Sequence, residues 1–208
     1  WKDQPRVSLN VRSEGEKFYL RGEEDWPIPR TEWTKFYLKA DGHCLSPEEQ
    51  VSEESVSYKS TGDGVTFVST PMAKDTEFCG PIASKVWVSS DTKDADLFLV
   101  VRVFTPDFKE IVFHGALDPH TPVASGWLRA SHRALDKDRS TEWAPFHTHK
   151  KAEPLTPGQI YELDIEIHAS GMVIPEGYRL ALSIRGRDYV YPGEPDAGLS
   201  NMKNQFTG

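Results

Sequence analysis

Hydrophobic and polar residues alternate with a period of two along several short stretches of this chain, which is the pattern of half-buried β-strands. The strongest of these stretches runs from Gly80 to Phe104. Val86 and Val88 face one way in its first half, and its second half is apolar on both faces, as in a central strand. Polar residues at 89–96 predict a tight turn between the halves. We therefore expect a hairpin that forms the core of an all-β domain.

Further alternating stretches predict strands on both sides of this hairpin. The clearest are Val7–Val11, Tyr161–Ile167 and Tyr178–Ile184. The segment 126–133 fits a strand or a helical turn, and its pattern does not decide between them. Roughly eight to ten strands without a long amphipathic helix favour a two-sheet sandwich. Shorter candidate strands are 33–38, 56–58, 65–69 and 111–113, with a hairpin turn at 61–64.

The length and charge of the chain limit its classes of partner. Its 208 residues are enough to bury one sizeable core. The net charge of -8 argues against nucleic acid, because binding phosphates requires a basic surface. The apolar runs are too short to cross a bilayer, and the N-terminus lacks a signal-peptide pattern, so we expect no membrane partner. A local group of basic residues is interpreted as a solvated loop: Arg129, His132, Arg133, Lys137 and Arg139.

The two cysteines bear on the cellular compartment. Cys44 and Cys79 could form one disulfide, but a domain of this size does not depend on one. We interpret them as free thiols in a reducing compartment and expect a cytoplasmic protein. Because the chain begins at Trp1 and not at methionine, we also expect a processed product or an excised piece.

The sequence lacks the local patterns of nucleophilic catalysis. A serine hydrolase of the α/β type requires a G-x-S-x-G turn, and none of the glycines begins one. Ser131 and His132 are adjacent, so on a strand they would point to opposite faces. A triad built from distant residues stays open, since triads are defined by geometry. Phosphate loops and dinucleotide fingerprints are also missing, so we assign no catalytic residue and no cofactor.

Histidines and aspartates offer two incomplete metal-binding patterns. His147 and His149 form an H-x-H pair, which a strand would place on one face, as zinc sites require. A third ligand would have to come from elsewhere, and its candidates are His120, His132 and Asp118. Oxygen ligands for calcium could come from Asp91, Asp94 and Asp96, although carboxylates in turns commonly only stabilise the turn. We therefore assign no metal.

Tryptophans offer a last candidate site. The chain could present a platform that stacks on sugars, as β-sandwich lectins do, or the same side chains could be buried in the core or against a partner domain. The residues in question are Trp26, Trp33, Trp87, Trp127 and Trp143.

Six segments, in this order, resemble the C-terminal domain of X-Pro dipeptidyl-peptidase and cocaine-esterase (CocE/NonD) hydrolases. Two examples are V-W-V-S-S-D-T-K-D-A-D-L-F at Val86–Phe98 and G-Y-R-L-A-L-S-I at Gly177–Ile184. The resemblance covers about Val7 to Ile184. The other four segments are Trp26–Ser46, Phe67–Pro81, Gly126–Arg133 and Glu153–Ile167.

The resemblance implies a jelly-roll β-sandwich of the galactose-binding type, attached to an α/β-hydrolase domain of the same parent chain. In that family the triad lies upstream, so no catalytic residue carries over to this sequence. The implied function is non-catalytic: the domain packs on the hydrolase, helps to shape its substrate cleft and often contributes to homo-oligomer contacts. The implied parent hydrolyses esters or Xaa-Pro amides.

The resemblance also implies a domain division. Residues 1–30 are expected to be a lead-in strand and linker from the absent hydrolase domain, and 31–208 to be the sandwich. The connection 58–65 is shorter than in relatives, which argues against a substrate-facing loop there. The usual closing segment is absent after Gly208, so we expect a C-terminal truncation. The alternatives that remain are a carbohydrate-binding module and, less favoured, a metal-dependent enzyme using His147 and His149.

Overall fold

Long-range strand pairing organises the chain into two sheets in the computed structural model, which describes residues 3–116 and 118–193. The described residues contain no α-helix, only single 3-10 turns at Asp41–His43 and Ala130–His132. The strands are β1 (Val7–Ser13), β2 (Lys17–Glu23), β3 (Tyr37–Lys39), β4 (Cys44–Ser46), β5 (Val65–Val68), β6 (Thr76–Val88), β7 (Asp96–Phe104), β8 (Glu110–Ile111), β9 (Ala124–Arg129), β10 (Tyr161–Ile174) and β11 (Arg179–Arg185).

The two sheets are both mixed. Sheet A has the order β2-β1-β10-β6, in which β1 and β10 are parallel. Sheet B has the order β3-β4-β5-β11-β7-β8, in which β4 and β5 are parallel, and β9 also pairs with β7. The two sheets form a sandwich, which confirms the predicted all-β sandwich class. The finer assignment, a jelly roll of the galactose-binding type, stays a prediction.

The core lies between the sheets and is built from the alternating apolar rows that the sequence displays. Each of these side chains contributes about 1.5–3 kcal/mol when it is fully buried. The central strand β7 is also buried on its other face, at Phe98 and Val100, as the pattern predicted. The inward rows of β7, β10 and β11 are Leu97, Leu99, Val101, Val103, Leu163, Ile165, Ile167, Leu180, Leu182 and Ile184.

β6 and β7 do not pair with each other, so the predicted central hairpin is wrong. β6 pairs with β10 in sheet A, whereas β7 lies in sheet B between β11 on one side and β8 and β9 on the other. The residues between them cross from one sheet to the other. Backbone hydrogen bonds from Leu155 to Lys93 and from Gly158 to Ser90 hold this crossing. Alternation specifies the faces of a strand but not its partners, which is why the pairing was missed.

Other elements also differ from the prediction. β2 was not predicted, although its sequence contains the short apolar run Phe18–Leu20 between Lys17 and Arg21. The predicted strand at 33–38 begins only at Tyr37, and residues 56–58 form no strand, so the turn at 61–64 does not close a hairpin. Val65 pairs instead with Ile184. The undecided segment 126–133 contains both alternatives, since β9 is followed directly by a 3-10 turn.

The predicted lead-in strand is part of the sandwich. β1 pairs along its length with β2 and is parallel to β10 at Arg12 and Met172. The division into a lead-in of 1–30 and a domain of 31–208 stays a prediction. The expected truncation after Gly208 lies outside the described residues.

Candidate functional site

The ribbon formed by β1 and β2 continues the inner face of sheet A. Arg12 identifies this face, because its guanidinium donates to the carbonyl of Val123 and to Ser170 Oγ, at 3.2 and 3.3 Å. It also lies 4.0 Å over the ring of Phe113, which is buried in the core. Phe18 is directly opposite Arg12 in the antiparallel register, and paired residues share a face. Phe18 therefore lies on the face that elsewhere covers the core.

The inner face is uncovered at the ribbon. Phe18 is 62% exposed and Leu20, two residues along β2, is 70% exposed. Within the part of the chain that the structure describes, β2 is an edge strand with β1 as its single neighbour. Exposed apolar side chains on an edge strand are typical of surfaces that another domain or chain covers.

Two carboxylates at the tip of the ribbon fix it to the sandwich. Glu14 accepts a hydrogen bond from the hydroxyl of Tyr178 at 2.6 Å, and Glu16 accepts one from the backbone N–H of His114 at 2.8 Å. The ribbon therefore presents Phe18 and Leu20 from an anchored position and not from a free hairpin.

The opposite face of the ribbon carries an ion-pair network. Arg21 donates two hydrogen bonds of 2.6 Å to Glu77 on β6 and one of 2.6 Å to Glu23. Glu23 also accepts two from Arg30, at 2.6 and 2.5 Å. Hydrogen bonds from Arg30 and Arg21 lower the pKa of Glu23 to about 2. β2 and β6 lie at opposite ends of the strand order of sheet A. The Arg21–Glu77 ion pair therefore connects the ribbon to the opposite end of the sheet.

Ser131 is positioned as a structural residue. Its hydroxyl donates to Asp94 Oδ2 at 2.6 Å and its backbone N–H to Asp94 Oδ1 at 2.9 Å, so the side chain of Ser131 binds a carboxylate and not a histidine. A second carboxylate from the same turn, Asp96, accepts two hydrogen bonds of 2.7 Å from Arg129. Two of the three candidate calcium ligands thus already bind protein groups, while Asp91 is exposed in the turn.

Three of the candidate histidines lie together. The ring of His149 is 5.9 Å from that of His147 and 5.5 Å from that of His132, measured between centroids. Among the residues that the structure describes, buried His132 Nδ1 and His147 Nε2 have no hydrogen-bond partner. Burial and the neighbouring His149 lower the pKa of His147, so its imidazole is neutral near pH 7.

This histidine cluster does not form a metal site as placed. Across residues 3–116 and 118–193, no group of three or more His, Cys, Asp or Glu side chains has a metal-binding arrangement. Of the other predicted third ligands, His120 stacks on Tyr191 with centroids 4.4 Å apart.

The tryptophans do not make one platform. Trp33 and Trp143 stack on each other, with ring centroids 5.4 Å apart and planes 20° apart, so each covers a face that a sugar would need. Trp87 lies on β6 and Trp127 on β9, which belong to different sheets.

Two of the predicted basic residues contact other protein groups, and the two cysteines do not form a disulfide. Arg133 donates to the carbonyl of Glu153 at 2.6 Å, and Arg139 lies 3.4 Å over the ring of Phe146. Both cysteines are free, and burial raises the pKa of Cys79. The reducing compartment stays a prediction.

Comparison with known proteins assigns the chain to a family. The sequence model of the X-Pro dipeptidyl-peptidase C-terminal non-catalytic domain matches residues 1–206. The chain belongs to this family.

Solved structures place this X-Pro dipeptidyl-peptidase C-terminal domain within larger hydrolases. A CocE/NonD family hydrolase from Staphylococcus aureus superposes with a TM-score of 0.87 at 32% identity, over 93% of this chain and 36% of that one. An aminopeptidase from a marine sediment Thaumarchaeota archaeon shares the fold, with a TM-score of 0.64 at 15% identity, over 88% of this chain and 33% of that one.

Two curated relatives also match this chain over only part of their own length. A protein of Streptomyces avermitilis assigned as an Xaa-Pro dipeptidyl-peptidase is 28% identical over 62% of this chain and 22% of its own length. A protein of Mycobacterium bovis assigned as a serine esterase is 24% identical over 76% of this chain and 23% of its own length. The chain therefore spans less than a quarter of these relatives and corresponds to the C-terminal, non-catalytic part of such hydrolases.

Two features of this domain escaped the sequence analysis. The second strand of the ribbon, β2, was missed although Phe18 and Leu20 alternate with Lys17, Tyr19 and Arg21, a signal that was available. The buried ion pair of Arg102 on β7 and Glu110 on β8 was missed because a strand pattern does not show which residues a later segment will bury. Separately, no helix among the described residues is both long and apolar enough to cross a membrane.

Proposed function

We propose that this domain packs on the α/β-hydrolase domain of its parent chain and helps to shape the substrate cleft of a serine hydrolase acting on esters or Xaa-Pro amides. The names of the relatives support this substrate range, because they include both an Xaa-Pro dipeptidyl-peptidase and a serine esterase. The domain itself would supply surface and rigidity, and the catalytic serine would belong to the other domain.

The observation that carries the packing role is the uncovered inner face of the β1–β2 ribbon. Phe18 and Leu20 expose apolar surface on a strand that Glu14 and Glu16 anchor at its tip. The ribbon is also the first pair of strands in the chain, so an upstream domain would be connected directly to it. Burying these two side chains against that domain would contribute about 1.5–3 kcal/mol each.

Hydrogen exchange on β2 tests the packing role. We expect the backbone amides of Lys17–Glu23 to exchange more slowly in a longer polypeptide that contains the hydrolase domain than in the 208-residue chain. Identical exchange in the two proteins would contradict this interface.

Activity of the longer polypeptide tests the contribution to the cleft. Phe18→Asp combined with Leu20→Asp should lower kcat/KM for a p-nitrophenyl ester at least about tenfold, because a misplaced domain deforms the cleft. Trp87→Asp is the matched control, since Trp87 is an equally exposed aromatic on the far edge strand of sheet A. Equal activity of the ribbon variant and the control would remove the proposal.

A cytoplasmic location and self-association of copies remain predictions. Free Cys44 and Cys79 support the first, and the exposed ribbon supports the second.

A further inference from the structure

The outer face of sheet B, opposite the core, contains a cavity of about 310 Å³ over strands β7 and β9. In the antiparallel register Trp127 lies directly opposite Phe98 and Ser125 lies opposite Val100, so these four lining residues share one face. Phe98 and Val100 are buried, whereas Trp127 is 60% exposed. The cavity therefore has an apolar floor and, on one side, an indole that solvent reaches.

Asp188, from the segment that follows β11, brings a carboxylate to the same cavity. The next residue, Tyr189, is buried, and its backbone N–H donates to Asp188 Oδ1 at 2.7 Å, which fixes this carboxylate in position. A carboxylate can accept about four hydrogen bonds, so Asp188 can accept one from a ligand in addition to the bond from Tyr189. The hydroxyl of Ser125 can either donate or accept. The cavity therefore combines apolar surface with groups that bind hydroxyls.

Charges of both signs surround the cavity and disfavour a charged ligand. The buried Arg185 lies on the neighbouring strand β11, directly opposite the floor of the cavity. Arg129 is two residues from Trp127 on β9 and lies on the same face. These two guanidiniums would repel a cationic ligand, and Asp188 would repel an anionic one. The cavity is therefore suited to an uncharged ligand that donates hydrogen bonds.

The orientation of Trp127 adds a requirement for shape. Its ring is nearly perpendicular to that of His168 on β10, with planes 83° apart and centroids separated by 5.5 Å. A perpendicular neighbour covers at most one face of the indole, which leaves a face for a ligand. Because the face of an aromatic ring is negatively polarised, it attracts the C–H groups of a flat partner. A ligand with a C–H face and hydroxyl groups around its rim has the structure of a sugar ring.

We propose that Trp127, Ser125 and Asp188 form a binding site for one sugar ring. The C–H face of the sugar stacks on the indole of Trp127, and its hydroxyl groups bind the carboxylate of Asp188 and the hydroxyl of Ser125. The volume of the cavity is at the lower end of the range of about 300–1,000 Å³ for ligand sites, which suits a single ring. The site lies on sheet B and the ribbon on sheet A, so this proposal does not depend on the packing role.

Nuclear magnetic resonance of the ¹⁵N-labelled 208-residue chain tests the site. The indole N–H signal of Trp127, assigned by its loss in Trp127→Phe, is followed during titration with methyl β-D-glucopyranoside and with methyl α-D-mannopyranoside. The β-glucoside carries every ring substituent equatorially, so its axial C–H groups are open for stacking. We expect a saturable shift with a dissociation constant on the order of 1 mM, as is typical of a ligand of this size.

Sorbitol is the control ligand, because it has the hydroxyl groups of a sugar but no ring. It should produce no saturable shift of the Trp127 signal. A signal that does not saturate with either glycoside up to about a hundredfold excess over that constant would overturn the proposal. An equal response to sorbitol would overturn it as well.

Variants identify the side chains that bind the sugar, with saturation transfer from the protein to the β-glucoside as the readout. Trp127→Ala should weaken binding about tenfold or more, and Trp127→Phe should lose less because it retains a ring. Asp188→Asn should weaken binding several-fold. Trp87→Ala is the matched control, since Trp87 is 63% exposed on sheet A, and it should bind like the natural sequence.

Unchanged binding by Trp127→Ala, or an equal loss in Trp87→Ala, would contradict the site. Because Trp127 is largely exposed, we expect Trp127→Ala to keep the fold, which its spectrum reports directly. If Trp127→Ala does not fold, Asp188→Asn decides, and its unchanged affinity would contradict the site.

Discussion

Glu23 shows how single residues of this domain are tuned by their partners. It is a carboxylate buried under the guanidiniums of Arg21 and Arg30, and Arg21 connects it to Glu77 on β6, at the far edge of sheet A. The sequence shows acidic and basic residues in this region but not which of them meet, because their pairing depends on strands that are distant in the chain. Residue types were therefore predictable here, and their contacts were not.

The lowered pKa of Glu23 predicts a specific acid sensitivity. Its ordinary value of 4.5 falls to about 2 in the folded state, so Glu23 contributes stability that is complete above pH 4.5 and is lost as the pH falls towards 2. Glu23→Gln should be less stable than the natural sequence at pH 7, and the difference should vanish near pH 2. Urea unfolding across this range checks it, and a difference independent of pH would contradict the network.

His147 predicts a second pH dependence with its own window. Burial and His149 lower its pKa below the ordinary 6.5, so the unfolded chain takes up a proton that the folded protein does not. Stability should therefore decrease as the pH falls below 6.5, with a slope from this residue of at most about 1.4 kcal/mol per pH unit. His147→Asn should flatten this part of the profile. His43, whose ring contacts Phe67, provides the control variant His43→Asn.

At the scale of elements, the sequence predicted which face of a strand is buried better than it predicted which strands pair with each other. The rows of β7, β10 and β11 follow the alternation closely, since each strand buries the residues that its pattern marks as apolar. The pairing of β6 with β10, over 70 residues away, left no local trace. The short strand β3 and the missing strand at 56–58 show the same limit, because tertiary contacts decide whether a weak strand pattern forms a ladder.

The close approach of β9 to β10 predicts an intolerant position. A Cβ at Gly126 would lie 2.1 Å from the carbonyl oxygen of Glu166, a contact that backbone atoms cannot accept. Gly126→Ala should therefore destabilise the domain by about 1–3 kcal/mol or more, because one strand must move. The neighbouring substitution Ser125→Ala should cost less than about 1 kcal/mol. Urea unfolding compares the two, and equal stability would contradict the observed packing.

At the scale of the whole molecule, the all-β class and the family followed from the sequence, because both rest on many positions at once. The surfaces did not follow in the same way. An exposed Phe18 and a buried Arg185 look ordinary in the sequence, and only the arrangement of the sheets shows that Phe18 lacks cover and that Arg185 is buried with an exposed carboxylate, Asp63, as its counter-charge.

The uncovered ribbon also predicts the solution behaviour of the isolated chain. We expect the 208-residue chain to self-associate at high concentration, because exposed apolar surface on an edge strand favours contact between copies. Phe18→Ser combined with Leu20→Ser should shift sedimentation towards the monomer, whereas Trp87→Ser should not. A natural chain that stays monomeric at millimolar concentration would contradict this expectation.

The account as a whole depends on where the reactive serine lies. Treating the 208-residue chain with a fluorophosphonate probe and a p-nitrophenyl ester is the most direct test, with the longer polypeptide as the positive control. The account predicts no labelled serine and no turnover above buffer for the chain alone, and one labelled serine outside it in the longer polypeptide. Stoichiometric labelling of a single serine within the chain would contradict it.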